Sequence, residues 1–245
     1  MTLNQEEGWL LKEKYNGVES EAFQADLVRL RAGEPLAYLI GHVPFLGCQI
    51  YLDSRPLIPR LETEYWVEKA IASIQLNKKE SRVLDLCAGS GCVGVAVAKA
   101  VPETFVTFAE VDPMHLPTIK KNISENLLGE RFQIVQSDLF EKVEGQFDFI
   151  LSNPPYIDPA LDRTEVSVKT HEPHLALYGG QSGMEIIEKI IKTATLYLAP
   201  QGQIWIEHEP EQVEAIKKCA EAAGFHVTAH TDQYDLLRYS ILTKD

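Results

Sequence analysis

Four consecutive residues, Asn153-Pro154-Pro155-Tyr156, follow the apolar run Phe147-Asp148-Phe149-Ile150-Leu151-Ser152. Asparagine and proline both favour turns, but a turn alone poorly accounts for two prolines and an aromatic directly after a buried strand. These residue types suit chemistry at a planar nitrogen, that of an amide or an exocyclic amine. The lone pair of such a nitrogen is delocalised into its π system, so it attacks an electrophilic methyl group poorly. Acceptors for both of its N–H groups draw electron density onto the nitrogen and orient the lone pair. The Asn153 side-chain oxygen and the Pro154 carbonyl are such acceptors, and the fixed φ of proline holds them preorganised. Tyr156 can stack on the planar group and keep it in line. Proximity, alignment and electrostatics then supply the rate without a metal or a covalent intermediate.

A second segment, Asp85-Leu86-Cys87-Ala88-Gly89-Ser90-Gly91, sits between the apolar run Val83-Leu84-Asp85-Leu86 and a helical segment. Glycines there let backbone approach a ligand, and open sheets bind ligands at the carboxyl ends of their strands. Gly89-Ser90-Gly91-Cys92-Val93-Gly94 also satisfies the dinucleotide spacing GxGxxG, so spacing alone leaves a nicotinamide cofactor open. Asp85 tips the choice. A carboxylate at that point can receive the cationic amino group of S-adenosylmethionine, whereas it would repel a pyrophosphate. Asp112, at the end of the next strand, can accept hydrogen bonds from both ribose hydroxyls while also capping a helix at Pro113. Asp138, after the third strand, can face the adenine amino group or serve as a loop aspartate, and Leu139 offers the adenine an apolar contact.

These residues need a frame. Apolar positions Leu10, Leu11, Phe23, Leu27 and Leu30 predict short amphipathic helices, stopped by Gly33 and Pro35. Residues 38–58 read as extended pieces forming a hairpin, and Glu62 to Gln75 as a helix. After the polar stretch Asn77 to Ser81, strands and helices alternate: helices over Gly91–Ala100, Pro113–Leu128, Met184–Leu198 and Gln212–Ala223, with strands between them. Pro117 is expected to distort the second of these helices. Alternation predicts a mostly parallel sheet with helices on both faces. The connection between Phe225–Ala229 and Leu236–Leu242 is too short for a parallel crossover, so the last strand should be antiparallel. The expected organisation is a short helical N-terminal region over 1–35, a hairpin and linking helix over 36–76, and the cofactor-binding α/β domain over 77–245.

The net charge of −13 counts against direct nucleic-acid binding, which calls for a basic patch; Lys120-Lys121 and Lys217-Lys218 read as solvated helix faces. No apolar stretch approaches the roughly 20 residues that span a bilayer. No signal peptide precedes the first helix, and the scattered Cys48, Cys87, Cys92 and Cys219 read as reduced thiols, which together predict a cytoplasmic protein. His171, His174 and His208 have no metal-ligand spacing.

The chain resembles the HemK/PrmC family of protein-glutamine methyltransferases. The matching runs are Ala32 to Tyr38, Leu57 to Glu64, the Asp85 to Gly91 loop, Ser152 to Ile157, Glu172 to Leu177 and Gly179-Gly180. The resemblance implies a Rossmann-like class I S-adenosylmethionine-dependent fold. It also implies methyl transfer to the side-chain amide of a glutamine, typically in the Gly-Gly-Gln loop of class 1 peptide chain release factors. On this resemblance Cys87 to Gly91, Asp112, Leu139 and Asn153 fall on cofactor positions and Asn153 to Tyr156 on substrate-amide positions. Four departures stand out, and three are that the helical N-terminal region is shorter than the family's, Leu61 replaces a frequent proline, and Glu209 stands where glycine is common. Cys87 replaces a frequent glycine, which a negative φ would accommodate. Arg60, Glu62 and Thr63 read equally well as helix-orienting residues and as ligand contacts. Residues 158–182 are long enough for a lid. Adenine methylation of DNA or RNA uses the same acceptor geometry as the Asn153 run, and a non-catalytic cofactor-binding protein is the remaining alternative.

Overall fold

The structure, a computed structural model, describes residues 3–77, 80–126, 128–161 and 163–244. Of the segments read from sequence, positions 1–2, 78–79, 127, 162 and 245 lie outside the described residues. Helix α1 (Gln5–Tyr15) starts at Asn4, whose side chain accepts from the Glu7 N–H while the Glu7 carboxylate accepts from the Asn4 N–H. Helix α2 (Glu21–Arg31) is capped by Ser20. Together with α3 (Leu36–Ile40) these helices enclose Leu10, Phe23, Leu27 and Leu39. Tyr38 to Ile40 are therefore helical rather than extended, and Gly41, at φ 95°, ends that turn.

Strands β1 (His42–Phe45) and β2 (Cys48–Tyr51) form an antiparallel hairpin. Its two turn residues, Leu46 and Gly47, both have positive φ, the geometry that matches strand twist in a two-residue loop. Helix α4 (Leu61–Leu76) buries Trp66, Val67, Ala70 and Ile74, a stripe at helical spacing.

The main sheet contains β3 (Arg82–Leu86), β4 (Phe105–Glu110), β5 (Phe132–Gln136), β6 (Phe147–Ser152), β7 (Leu198–Glu207), β8 (His226–Thr231) and β9 (Leu237–Thr243). Their order is β5-β4-β3-β6-β7-β9-β8, parallel throughout except that β9 runs antiparallel to β7 and β8. The reversed last strand expected from its short connection is thus present. Helices α5 (Cys92–Ala100), α6 (Leu116–Glu125), α7 (Val166–His171), α8 (Glu185–Ala194) and α9 (Val213–Ala222) follow in order. Side chains on a strand alternate between faces. Val83, Phe149 and Leu151 accordingly enter a core with α4, α5 and α6, while Leu84, Leu86 and Ile150 enter another with α8 and α9.

Two expectations shift. Helix α6 begins at Leu116, not Pro113, so Pro117 lies in its first turn, where a missing N–H costs nothing, and does not distort it. Asp112 instead closes a turn by accepting from the Met114 N–H. Helix α8 stops at Ala194, and Leu198 already belongs to β7.

The hairpin is tied to α6 by two amides. Asn122 exchanges hydrogen bonds with the Tyr51 main chain, and Asn126 does the same with Gln49. Helix α5 lies close against β4 because Gly94 carries no side chain: a Cβ there would stand 2.3 Å from the Phe108 ring and 2.9 Å from Val106. Gly94→Ala is expected to destabilise the fold by about 1–3 kcal/mol through overpacking, read as a lower urea midpoint at unchanged slope.

Candidate active site

In the strand order β4 and β6 flank β3, so the chain reverses direction across the sheet at β3, and ligands bind at such a crevice. The register pairs Leu86 with Ser152, and the Ser152 hydroxyl donates to the Leu86 carbonyl at 2.8 Å. The glycine loop and the Asn153 run therefore leave the sheet side by side, one strand spacing apart.

In the loop, Cys87, Gly89 and Gly91 all have positive φ, at 62°, 54° and 78°. The negative φ that would have accommodated a cysteine at 87 is not adopted. The loop requires the left-handed conformation there, and Cys87 bears a strain on the order of 1 kcal/mol. Burial and the nearby Glu110 carboxylate hold its thiol well above the usual range, so it is not a thiolate nucleophile. Ala88 donates its N–H to the Ala109 carbonyl and accepts from the Gly91 N–H, and the Ser90 carbonyl accepts from Asn122. At Gly89 nothing lies within 4 Å of a built Cβ, so this edge of the loop faces open space.

Asp85 departs from expectation. Only 1% exposed, it lies beneath the loop, and its Oδ2 accepts from the Gly94 N–H at 2.8 Å. It anchors the first turn of α5 instead of presenting an open carboxylate. Burial, opposed by the Gly94 hydrogen bond and reinforced by Glu110, pushes its carboxyl up to about 8.

A residue that sequence reasoning passed over holds the loop from the other side. Glu110, the buried last residue of β4, accepts from the Gly89 N–H at 2.7 Å and from the Asp112 N–H at 2.8 Å. Asp112 is half-buried next to it, Asp138 is exposed, and Leu139 adopts φ 47°. An open glycine edge flanked by carboxylates fits a ligand that carries hydroxyls and amines, and disfavours a polyphosphate.

Asn153 and Pro154 line a cavity of about 780 Å³, together with Tyr156, Leu57, Arg60 and Leu177. The Asn153 Nδ2 donates to the Thr63 hydroxyl at 3.0 Å, and Thr63 donates to Glu207 at 2.7 Å. Trp66 Nε1 and the Tyr156 hydroxyl donate to the same carboxylate, at 2.6 and 2.9 Å. Thr63 is thus part of the site's support, while Glu62 has no such place. Burial raises the Glu207 carboxyl against the pull of its three donors, and burial beside Glu207 keeps the half-buried Tyr156 a protonated donor.

The backbone of the motif is clamped as tightly. Gln212 Nε2 donates to the Tyr156 carbonyl, and Ile157 exchanges hydrogen bonds with Leu177 and Gly179. A Cβ on Gly183 would fall 1.8 Å from the Tyr156 carbonyl oxygen, and one on Gly179 would fall 2.4 Å from that of Pro155. Arg60 lines the cavity and donates to Glu172, whose other oxygen accepts from the Ile58 N–H. Among the described residues, no His, Cys, Asp and Glu cluster is arranged to hold a metal ion.

Glu207 was findable in principle, because it ends the apolar run Ile204-Trp205-Ile206 at the same sheet edge as the motif. Nothing local links it to Thr63, 144 positions away.

This sheet order, with its glycine loop and its Asn153 run at adjacent strand ends, defines a class I S-adenosylmethionine-dependent methyltransferase. Residues 69–170 match the methyltransferase small domain. The chain is 35% identical over 209 residues to the release factor glutamine methyltransferase of Chlamydia trachomatis serovar D, spanning 85% of this chain and 71% of that one. To its counterpart in Rhodopirellula baltica it is 37% identical over 212 residues, with 84% and 72% covered. The chain belongs to the release factor glutamine methyltransferase family. Solved structures share the fold: a methyltransferase from Pyrococcus furiosus (TM-score 0.61, 20% identity, 90% of this chain and 98% of that one). Another is the N-terminal domain of human METTL16 in complex with SAH (TM-score 0.57, 22% identity, 81% and 76% covered).

Asp85 yields a pH prediction. Its folded pKa lies above its unfolded one, so its contribution to stability is complete below about pH 4 and is lost as pH rises through about 8. Between about pH 5 and about pH 7 the native chain should lose on the order of 2 kcal/mol relative to Asp85→Asn, which keeps the acceptor for Gly94. Urea unfolding of both proteins at the two pH values checks this.

Proposed function

We propose that this chain transfers a methyl group from S-adenosylmethionine to the side-chain amide nitrogen of a glutamine in the Gly-Gly-Gln loop of a class 1 peptide chain release factor. The observation that carries this reading is the Asn153 amide: it lines the cavity, and with its nitrogen tied to Thr63 the end it has left to offer is its oxygen, an acceptor. Bound S-adenosylmethionine supplies an electrophilic, sulfonium-bound methyl group. In the proposed arrangement the Gly89 edge, Asp112, Asp138 and Leu139 hold the cofactor, with Cys87, Ala88, Ser90 and Gly91 shaping the loop and Asp85 supporting it from beneath.

The Asn153 oxygen and the Pro154 carbonyl would accept hydrogen bonds from the two N–H groups of the substrate amide, drawing its lone pair out of conjugation and toward the methyl carbon. Pro154 and Pro155 fix the backbone of these acceptors, and the Tyr156 ring covers the amide plane. Because its hydroxyl is held by Glu207, the ring cannot swing away. Transfer would exchange the methyl–sulfur bond for the new C–N bond, the electron pair leaving with sulfur, and the acceptors on Asn153 and Pro154 would pass the one surplus amide proton on to water. The cavity is larger than a glutamine side chain, which suits a loop that enters with its flanking residues.

The relatives' names support the acceptor, and the charge of −13 favours a protein over a nucleic-acid backbone. Among the described residues no helix is long and apolar enough to cross a membrane. We place the enzyme in the cytoplasm, beside the translation machinery. The test is incubation with methyl-labelled S-adenosylmethionine, a class 1 release factor and bulk RNA and DNA. Label on the Gly-Gly-Gln glutamine is expected, and label only in nucleic acid would overturn the reading. Asn153→Ala should lower transfer by about 100-fold or more while calorimetry finds cofactor binding intact.

A further inference from the structure

We infer that Glu207 is a positioning residue that fixes which end of the Asn153 amide faces the substrate, acting through the single proton of the Thr63 hydroxyl. The inference rests on the proposed role of the Asn153 oxygen. The two ends of an asparagine amide are nearly identical in size, so only the hydrogen bonds they meet distinguish them. A flip would present N–H groups to a substrate amide whose own N–H groups need acceptors, and the site would repel the group it must hold.

The direction of the chain follows from counting protons. Trp66 Nε1 is a donor only, and it points at Glu207 Oε2 at 2.6 Å, so that oxygen is an acceptor. Thr63 Oγ1 approaches the same oxygen at 2.7 Å, and its one proton is used there. The hydroxyl oxygen can then only accept its second bond, and the group that meets it at 3.0 Å must be the Asn153 NH2. Thr63, Glu207 and Ser152 are all buried, and Asn153 directly follows Ser152, so little water is available to substitute for a missing link. The Tyr156 hydroxyl donates to the second Glu207 oxygen, so one carboxylate orients both ends of the substrate-binding run.

Thr63 is the point to break, because Thr63→Val keeps the shape and removes the hydroxyl, while Thr63→Ser keeps the hydroxyl. With the release factor as acceptor, Thr63→Val is expected to lower kcat by about tenfold or more, with KM and cofactor affinity changed less than about twofold. Thr63→Ser should recover most of that loss. Glu207→Met, alone and combined with Thr63→Val, should give a joint loss no larger than the greater single one, as for residues in one chain. A readout independent of substrate is the Asn153 side-chain amide in a nitrogen-15 spectrum, assigned with Asn153→Ala. Its protons should be slow to exchange in the native chain and in Thr63→Ser, and fast in Thr63→Val. Wild-type kcat in Thr63→Val, an equal deficit in Thr63→Ser, or unchanged Asn153 exchange would each overturn the inference. If no glutamine is labelled by any of these proteins yet Asn153 responds as stated, the substrate reading fails and the positioning stands.

Discussion

The parallel pairing of β3 with β6 is the constraint on which the site depends. Leu86 lies opposite Ser152, and the Ser152 hydroxyl reaches across to the Leu86 carbonyl at the point where both strands end. A slip of one residue would turn each buried side chain to the other face and would separate the two loops. Because both faces of these strands are packed, one against α4, α5 and α6 and the other against α8 and α9, no such slip is affordable. The meeting of the glycine loop and the Asn153 run is thus a property of the hydrophobic core, transmitted through register.

Two buried carboxylates border that seam, and each is an electrostatic liability that the fold meets with donors. Asp85 receives a main-chain N–H, and Glu207 receives an indole, a threonine and a tyrosine. A buried ionised group without such partners would cost several kcal/mol. Both lie under loops that have to hold their shape, where rigidity is worth that cost. The strained φ of Cys87 belongs with them, since the surrounding hydrogen bonds over-determine the loop and hold that residue in a conformation it would not choose alone.

Much of this was legible in the sequence, for local reasons. The bounds of β6 follow from the apolar run Phe147 to Ser152, and the reversed last strand follows from a connection too short for a crossover. The place of the Asn153 run was legible too, because two prolines cannot continue a central strand and so must follow the end of β6. What was hidden depended on distance. Asp112 looked like a helix cap, whereas Pro117 takes the first turn and the helix starts later. Glu110 was obscured by a second acid two residues on, and only the fold shows which of the two grips the glycine loop. Asp85 could be read as a carboxylate near a cofactor, but its burial is set by α5 packing above it. Thr63 and Glu207 have meaning only together, and no periodicity spans their separation.

The contact of Glu172 with Ile58 and Arg60 bears on how such a chain can vary through descent. One buried carboxylate caps a main-chain N–H and a guanidinium from a segment more than a hundred positions earlier. Shortening the acid would orphan both donors at once, and altering Arg60 would leave the buried Glu172 without its cationic partner. Neither run can drift alone, so the two form one heritable unit interrupted by the whole first half of the sheet. A change on one side of the contact is therefore expected to call for a matching change on the other, tying together positions far apart in the chain.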